Sequence, residues 1–317
     1  MNSGVDTLPD PGEYLLDDID PEVTSYWERR IDQEFVRRFG QHLCEIGRPG
    51  TGKTQGLYYL VDKIKDYGRE QILWFDIGKG DEILTLPHYF GPCTIFTPPG
   101  CDLSIRMRDP VDAFGNPYDI EYRTISQEAD IWRNIQPGRI NICSFDPFIL
   151  DPTITLEHVS GLFKRLIRLA FRREIIRPLA IFYDEFHNIC PAQGYGYATT
   201  AREGAKQRRM LNVIKRNIQK LRVEEYRMII STHEWQQLFK GVRTAFEWVM
   251  MRRGAKFGSD EPKLRQFNPR WAGCTTEQCY IALPTREHTA PLRLPYYLDG
   301  ARLGSVTYRG MLDEEEV

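Results

Sequence analysis

Residues 42–59, HLCEIGRPGTGKTQGLYY, decide the fold. Within them Gly47, Arg48, Pro49, Gly50, Thr51, Gly52, Lys53 and Thr54 match G-x-x-x-x-G-K-[ST] at every fixed position. The preceding residues, Leu43 to Ile46, are strand-like. The following Leu57, Leu60, Val61 and Ile64 recur at helical spacing. A strand, a glycine-rich loop and a helix in that order form the setting in which such a loop cradles phosphate. Glycines let backbone N–H groups turn inward around an anion, and the helix adds unpaired N–H groups and the positive end of its dipole. Lys53 can then reach the outer phosphates, the Thr54 hydroxyl can hold Mg²⁺, and Gln55 is grouped with the loop as a nucleotide contact.

Working outward, residues 71–77 (QILWFDI) form a continuous apolar run closed by Asp76, the pattern of a parallel strand buried on both faces. Shorter strands are expected at 93–97 and 139–145. A long helix is expected at 155–176, with Val159, Leu162, Phe163, Leu166 and Leu169 inward. Residues 178–185 (PLAIFYDE) are a strand ending in two carboxylates, Asp184 and Glu185. In a phosphate-loop enzyme an acid at a strand end supports the Mg²⁺ shell, and its neighbour can act as general base on the attacking water. Another strand, 227–232, ends at Ser231-Thr232-His233, where His233 can sense the γ-phosphate. HEWQQL, a short helix and the run FEWVMMRR (246–253) follow. Upstream, 22–39 has helical spacing of Trp27, Ile31, Phe35 and Phe39. The stretch 101–136 lacks clear periodicity and contains a loop-type segment, DPVDAFGNPYD. Strand and helix alternate along the chain, as in an α/β layer with a mainly parallel central sheet.

Composition bounds the partners. Of 317 residues, 41% are hydrophobic and 27% charged, which describes an ordinary globular protein able to bury a core without disulfides. A net charge of −2 provides no global attraction for nucleic acid, so any such contact needs a local patch. The helix expected at 206–222 offers one: Leu211, Ile214, Ile218 and Leu221 make an apolar stripe, and Lys206, Arg208, Arg209, Lys215, Arg216, Lys220 and Arg222 cover the remainder without an intervening acid. Tyr195 and Tyr197 lie in the loop before it. Seven scattered cysteines suit reduced thiols and a cytoplasmic setting. Cys274, Cys279 and His288 lack the tight paired spacing of a zinc site. No apolar run reaches the roughly 18 residues of a membrane span, so no direct membrane insertion is expected. Residues 1–22 hold seven acids, three prolines and no Lys or Arg, and read as an acidic, disordered arm. The expected division is that arm, a core over 23–255, and a small C-terminal extension over 256–317 with an acidic tail.

Five segments in order, GRPGTGKT, WFDIGKGDE, QPGRINICSFD, IFYDEFHNICP and IISTHEWQQL, resemble the HerA/FtsK group of P-loop ATPases over roughly residues 40–255. That group includes DNA pumps of cell division, conjugative coupling proteins and viral packaging ATPases. The resemblance implies a RecA-like core and an ATP-hydrolysing, Mg²⁺-dependent motor on double-stranded DNA, built as a homo-hexameric ring. It implies that Lys53 and Thr54 bind phosphate and Mg²⁺, that Asp184 supports Mg²⁺, and that Glu185 activates water. The group usually has Gln where this chain has His233. In such rings an arginine from one subunit completes its neighbour's site, and Arg243, Arg252 and Arg253 are the candidates. The basic helix would face DNA in the channel, in the host cytoplasm or in association with a virion, with a capsid or secretion complex as a further partner. The alternatives are a zonula-occludens-toxin-like phage assembly or secretion ATPase, and a nucleotide-dependent structural switch.

Overall fold

The computed structural model describes residues 21–76, 80, 82–97, 99–125, 128–144, 152–192 and 201–309. Most of the acidic arm, the Lys79 loop, and Tyr195 and Tyr197 lie outside them. Helix α1, Pro21–Ile31, runs on through a wider turn at Asp32–Val36, burying Trp27, Ile31 and Phe35. Strand β1 (Leu43–Ile46) leads through the glycine-rich loop into α2 (Lys53–Tyr67). Then come β2 (Gln71–Asp76), α3 (Glu82–Phe90), β3 (Cys93–Thr97), β4 (Asp102–Met107), β5 (Ile120–Thr124) and α4 (Glu128–Asn134). The second half holds β6 (Ile140–Ser144), α5 (Pro152–Arg172), β7 (Leu179–Tyr183), α6 (Ala201–Val223), β8 (Tyr226–Thr232) and β9 (Trp248–Met251). It closes with β10 (Gln278–Ala282), β11 (Leu292–Arg293) and β12 (Gly304–Arg309).

Among the described residues ten strands form one sheet in the order β11-β10-β9-β1-β8-β7-β2-β6-β3-β5. Every pairing from β9 to β5 is parallel, and β10 and β11 add antiparallel strands at one edge. Period-two alternation along β2 shows how the sequence builds two core layers. Leu73 and Phe75 enter the layer beneath α5 and α6, whereas Ile72 and Trp74 enter the layer under α1, α2 and α3. Trp74 stacks between Tyr58 of α2 and Phe182 of β7, with ring centroids at 5.4 and 5.5 Å. Both faces are therefore dry, which is why β2 reads as an unbroken apolar run.

The sequence reading of 101–136 as irregular misses two strands and a helix. β5 continues the sheet beside β3, and β4 pairs antiparallel with β12 near the other end of the chain. β4 is half exposed and carries Asp102, Ser104 and Arg106 among its apolar residues, so its local signal is weak. The residues grouped as an extension, 256–317, place β10 and β11 in the main sheet and β12 against β4. Among the described residues no helix is long and apolar enough to cross a membrane.

Candidate active site

β1 occupies the middle of the sheet between β8 and β9, so its C-terminal end opens where two crossovers diverge. The glycine-rich loop rises there. Gly47 N–H donates to the Thr232 carbonyl and Arg48 N–H to the Arg253 carbonyl, both at 3.3 Å, tying the loop to the ends of β8 and β9. Gly52 has φ +80°, a left-handed conformation that suits glycine, and it turns the chain into α2. Gly56, one turn on, faces the Glu45 side chain: a Cβ there would lie 2.2 Å from Oε1. Arg48, Pro49 and Gly50 are exposed at the rim, while Thr51 and Lys53 are buried.

The structure brings the expected catalytic side chains into one cleft. Thr54 Oγ1 donates to Asp184 Oδ2 at 2.9 Å, although the two are 130 positions apart in sequence. Asp184 Oδ1 accepts from Glu185 N–H at 2.9 Å and from the Ser231 hydroxyl. Glu185 N–H also reaches Ser231 Oγ at 2.9 Å. Glu185 itself has φ +53°, a conformation side chains rarely adopt, which turns the chain sharply at the end of β7. Lys53 Nζ lies 2.9 Å from His233 Nδ1 and 3.5 Å from the Arg48 carbonyl. An ammonium can only donate, so His233 accepts at Nδ1 and keeps its proton on Nε2, the atom 3.7 Å from Glu185 Oε1. Asn188 Nδ2 lies 3.5 Å from Glu185 Oε2.

A hard dication would find neighbouring oxygen ligands in the Thr54 hydroxyl and the Asp184 carboxylate, which is the donor chemistry Mg²⁺ prefers. A cavity of about 650 Å³ extends from Gly52, Lys53, Thr54 and Glu185 to a second wall formed by Thr276, Glu277, Leu294, Pro295, Tyr296 and Asp299. That volume lies within the roughly 300–1,000 Å³ range of small-molecule sites.

No protein-family model matches the chain, and no curated protein sequence matches it. Solved structures do. The bacterial conjugative coupling protein TrwB has a TM-score of 0.52 at 12% identity, over 83% of this chain and 87% of that one. The chain has the RecA-like P-loop ATPase fold. Genome packaging NTPase B204 from Sulfolobus turreted icosahedral virus 2, in complex with ATP-gammaS, gives a TM-score of 0.46 at 10% identity, over 80% of this chain and 98% of that one. The pCW3 conjugation coupling protein TcpA gives 0.44 at 10% identity, over 84% and 63%. These structural neighbours are of the FtsK/HerA type that the five motifs resemble. At such identities the likeness is one of fold.

Within this P-loop ATPase core the three candidate arginines sort clearly. Arg252 is fully buried: its guanidinium donates to the Thr51 carbonyl (3.2 Å) and the Thr276 carbonyl (2.5 Å) and lies 3.6 Å from Glu45. It braces the phosphate loop from within. Arg243 donates to the carbonyls of Leu238 (2.8 Å) and Gln236 (2.7 Å) and pairs with Asp260. Arg253 is exposed beside the loop. The Gln55 amide spans to Tyr297, donating to its carbonyl at 2.8 Å and accepting its N–H at 2.7 Å.

Sequence reasoning missed Ser231 as the buttress of Asp184, and it missed His187. The His187 ring lies 4.6 Å from that of His233, and burial, with His233 next, pushes its pKa down to about 4. A neutral imidazole is thus packed behind the His233 ring. The signal was present in DEFH, an imidazole two positions after Glu185, but nothing local marks its target. The basic face of α6 exposes Arg208, Arg209, Lys215 and Arg216, over a buried stripe of Met210, Leu211, Ile214, Ile218 and Leu221. The side chain of Lys206 lies outside the described residues. Arg222 pairs with Glu247 at 2.6 Å, and the Lys220 ammonium lies over the Phe171 ring at 5.8 Å.

Proposed function

We propose that the chain is an ATP-hydrolysing motor that moves double-stranded DNA, in genome packaging or in DNA transfer, as a homo-hexameric ring. The observation that carries the reading is the junction of Thr54, Asp184 and Glu185 at the mouth of the phosphate loop. The coupling-protein fold of TrwB and the five ordered motifs support the DNA-moving part.

The chemistry follows from the side chains. Backbone N–H groups of the loop and the start of α2 hold the phosphates, and Lys53 exchanges its contact with His233 for the outer phosphate oxygens. Thr54 and Asp184 would hold Mg²⁺, which would neutralise charge building on the β- and γ-phosphates. The Glu185 carboxylate takes a proton from water as the water oxygen bonds the γ-phosphorus. The bond from that phosphorus to the bridging oxygen breaks, leaving ADP and phosphate. His233, released from Lys53, faces the γ-phosphate with His187 fixing its ring plane. Arg243 and Arg252 are engaged within the chain, so Arg253 is the arginine we assign to the neighbouring subunit's site. Arg208, Arg209, Lys215 and Arg216 contact DNA phosphates without reading sequence.

ATP turnover measured with and without duplex DNA across a salt series tests the reading. The expected result is DNA-stimulated turnover that fades as salt rises, and no turnover for Lys53→Ala. Turnover indifferent to duplex DNA in a ring-forming preparation overturns it.

A further inference from the structure

The cavity has two unlike walls. One is the phosphate loop with Lys53. The other comes from the last quarter of the chain and carries two acids, Glu277 and Asp299. Lys53 and the N-terminus of α2 attract a triphosphate, whereas the far wall offers Asp299 and a Glu277 already paired with Arg293 at 3.0 Å, so the phosphates of a bound nucleotide belong at the Lys53 end and its uncharged nucleoside at the far wall. That wall holds Tyr296, whose residue is 61% exposed, while the adjacent Tyr297 is buried against Tyr58, Tyr89 and Phe90. Tyr296 is therefore an aromatic face standing open on backbone that is anchored at the next residue.

The anchoring reaches the phosphate loop twice. Gln55, directly after Thr54, holds the Tyr297 backbone with both ends of its amide. Arg252 joins the Thr51 carbonyl to the Thr276 carbonyl. The distance between the phosphate cradle and Tyr296 is thus set by the fold and does not wait for ligand. A rigid aromatic ring loses little conformational freedom on covering a planar base, and stacking is the interaction it is shaped to make.

We infer that Thr276, Glu277, Leu294, Pro295, Tyr296 and Asp299 form the nucleoside half of the site, with Tyr296 as the stacking platform for the base. The inference rests on the nucleotide-binding reading of the phosphate loop and assigns to the C-terminal segment a part in substrate recognition. Tyr296 holds the base and takes no part in bond making. Gln55 acts as a positioning residue that keeps the platform in register with the phosphates.

The test compares ATP with inorganic tripolyphosphate, which has the phosphates and no nucleoside. Affinities of both are measured calorimetrically with Mg²⁺ on the full chain and its variants. Tyr296→Ala is expected to weaken ATP about tenfold, in the range of base–aromatic stacking, and to leave tripolyphosphate unchanged, with Tyr296→Phe restoring ATP binding. Tyr296→Ala binding ATP like the parent chain overturns the inference, as does an equal loss for both ligands. Lys53→Ala serves as the separate control: it is expected to weaken both ligands. If it weakens neither, the phosphate-loop reading itself fails, whatever Tyr296 does.

Discussion

Glu185, the general base of the proposed reaction, has a left-handed backbone that side chains rarely adopt. Its left-handed backbone directs its N–H back to Asp184 and Ser231, while its carboxylate stands in the cleft near His233. A carboxylate positioned to take a proton can be replaced by an amide of the same shape. Glu185→Gln is therefore expected to bind ATP with little change and to lose roughly 10²- to 10⁴-fold in turnover, the usual range for a general base. Single-turnover kinetics beside a binding isotherm separates the two effects; a variant that turns over normally removes Glu185 from the role. Arg252 makes a different prediction. It faces Glu45 where both side chains are fully buried, and it holds the loop carbonyl of Thr51. Removing one member of such a pair strands the other's charge in a dry interior. Arg252→Met is expected to cost about 3–5 kcal/mol of stability, read as a lowered urea midpoint.

At the scale of elements, β1 is held at its entry by His42. Met228 N–H donates to Nδ1 at 2.9 Å and Nε2–H donates to the Ile218 carbonyl at 2.8 Å, joining β8 and α6 to the start of β1. Both ring nitrogens are used by the neutral form, and complete burial pushes the pKa from 6.5 down to about 4. The unfolded chain therefore binds one more proton than the folded chain between those values. The contribution is fully present above about pH 6.5 and is lost as pH falls toward 4. Between pH 7 and pH 5 this amounts to about 2 kcal/mol. Urea unfolding at the two pH values, run on the parent chain and on His42→Gln, measures it: the difference is expected to shrink by about that amount in the variant, leaving the share contributed by His187. Helix α6 carries the other element-level prediction. Reversing Arg208 and Arg209 to Glu leaves the buried stripe intact, so folding is preserved. The salt dependence of DNA binding is expected to fall by about two phosphate contacts. An unchanged salt slope removes this face from the DNA contact.

At the scale of the molecule, the proposed ring gives the exposed Arg253 beside the phosphate loop a testable role. If Arg253 completes a neighbour's site, Arg253→Ala subunits bind ATP normally yet turn it over slowly. Mixing them with Lys53→Ala subunits is then expected to recover part of the turnover, because a ring can combine an intact Arg253 from one subunit with an intact Lys53 from another. Strict additivity of the two inactive proteins speaks against a trans arginine.

Much of this was legible along the chain, for a physical reason. The phosphate loop is local: glycine conformations, helix N-terminus, Lys53 and Thr54 all lie within eight residues. The central strands are buried on both faces, so β2 and β7 announce themselves as apolar runs, and two acids directly after β7 stand out at its C-terminal end. Tertiary structure decided everything that depends on pairing across distance. β4 has no strong signal of its own because its partner is β12, and β10 and β11 reveal only in the fold that they continue the main sheet. Arg252 reads as one surface charge among several until burial turns it inward against Glu45 and Thr51. The order of residues 42–59 by itself predicted a phosphate-binding loop; which segment lies across the cavity from it was decided only when Gln55 met Tyr297, because contacts between distant segments are chosen by packing and leave no periodic trace in either one.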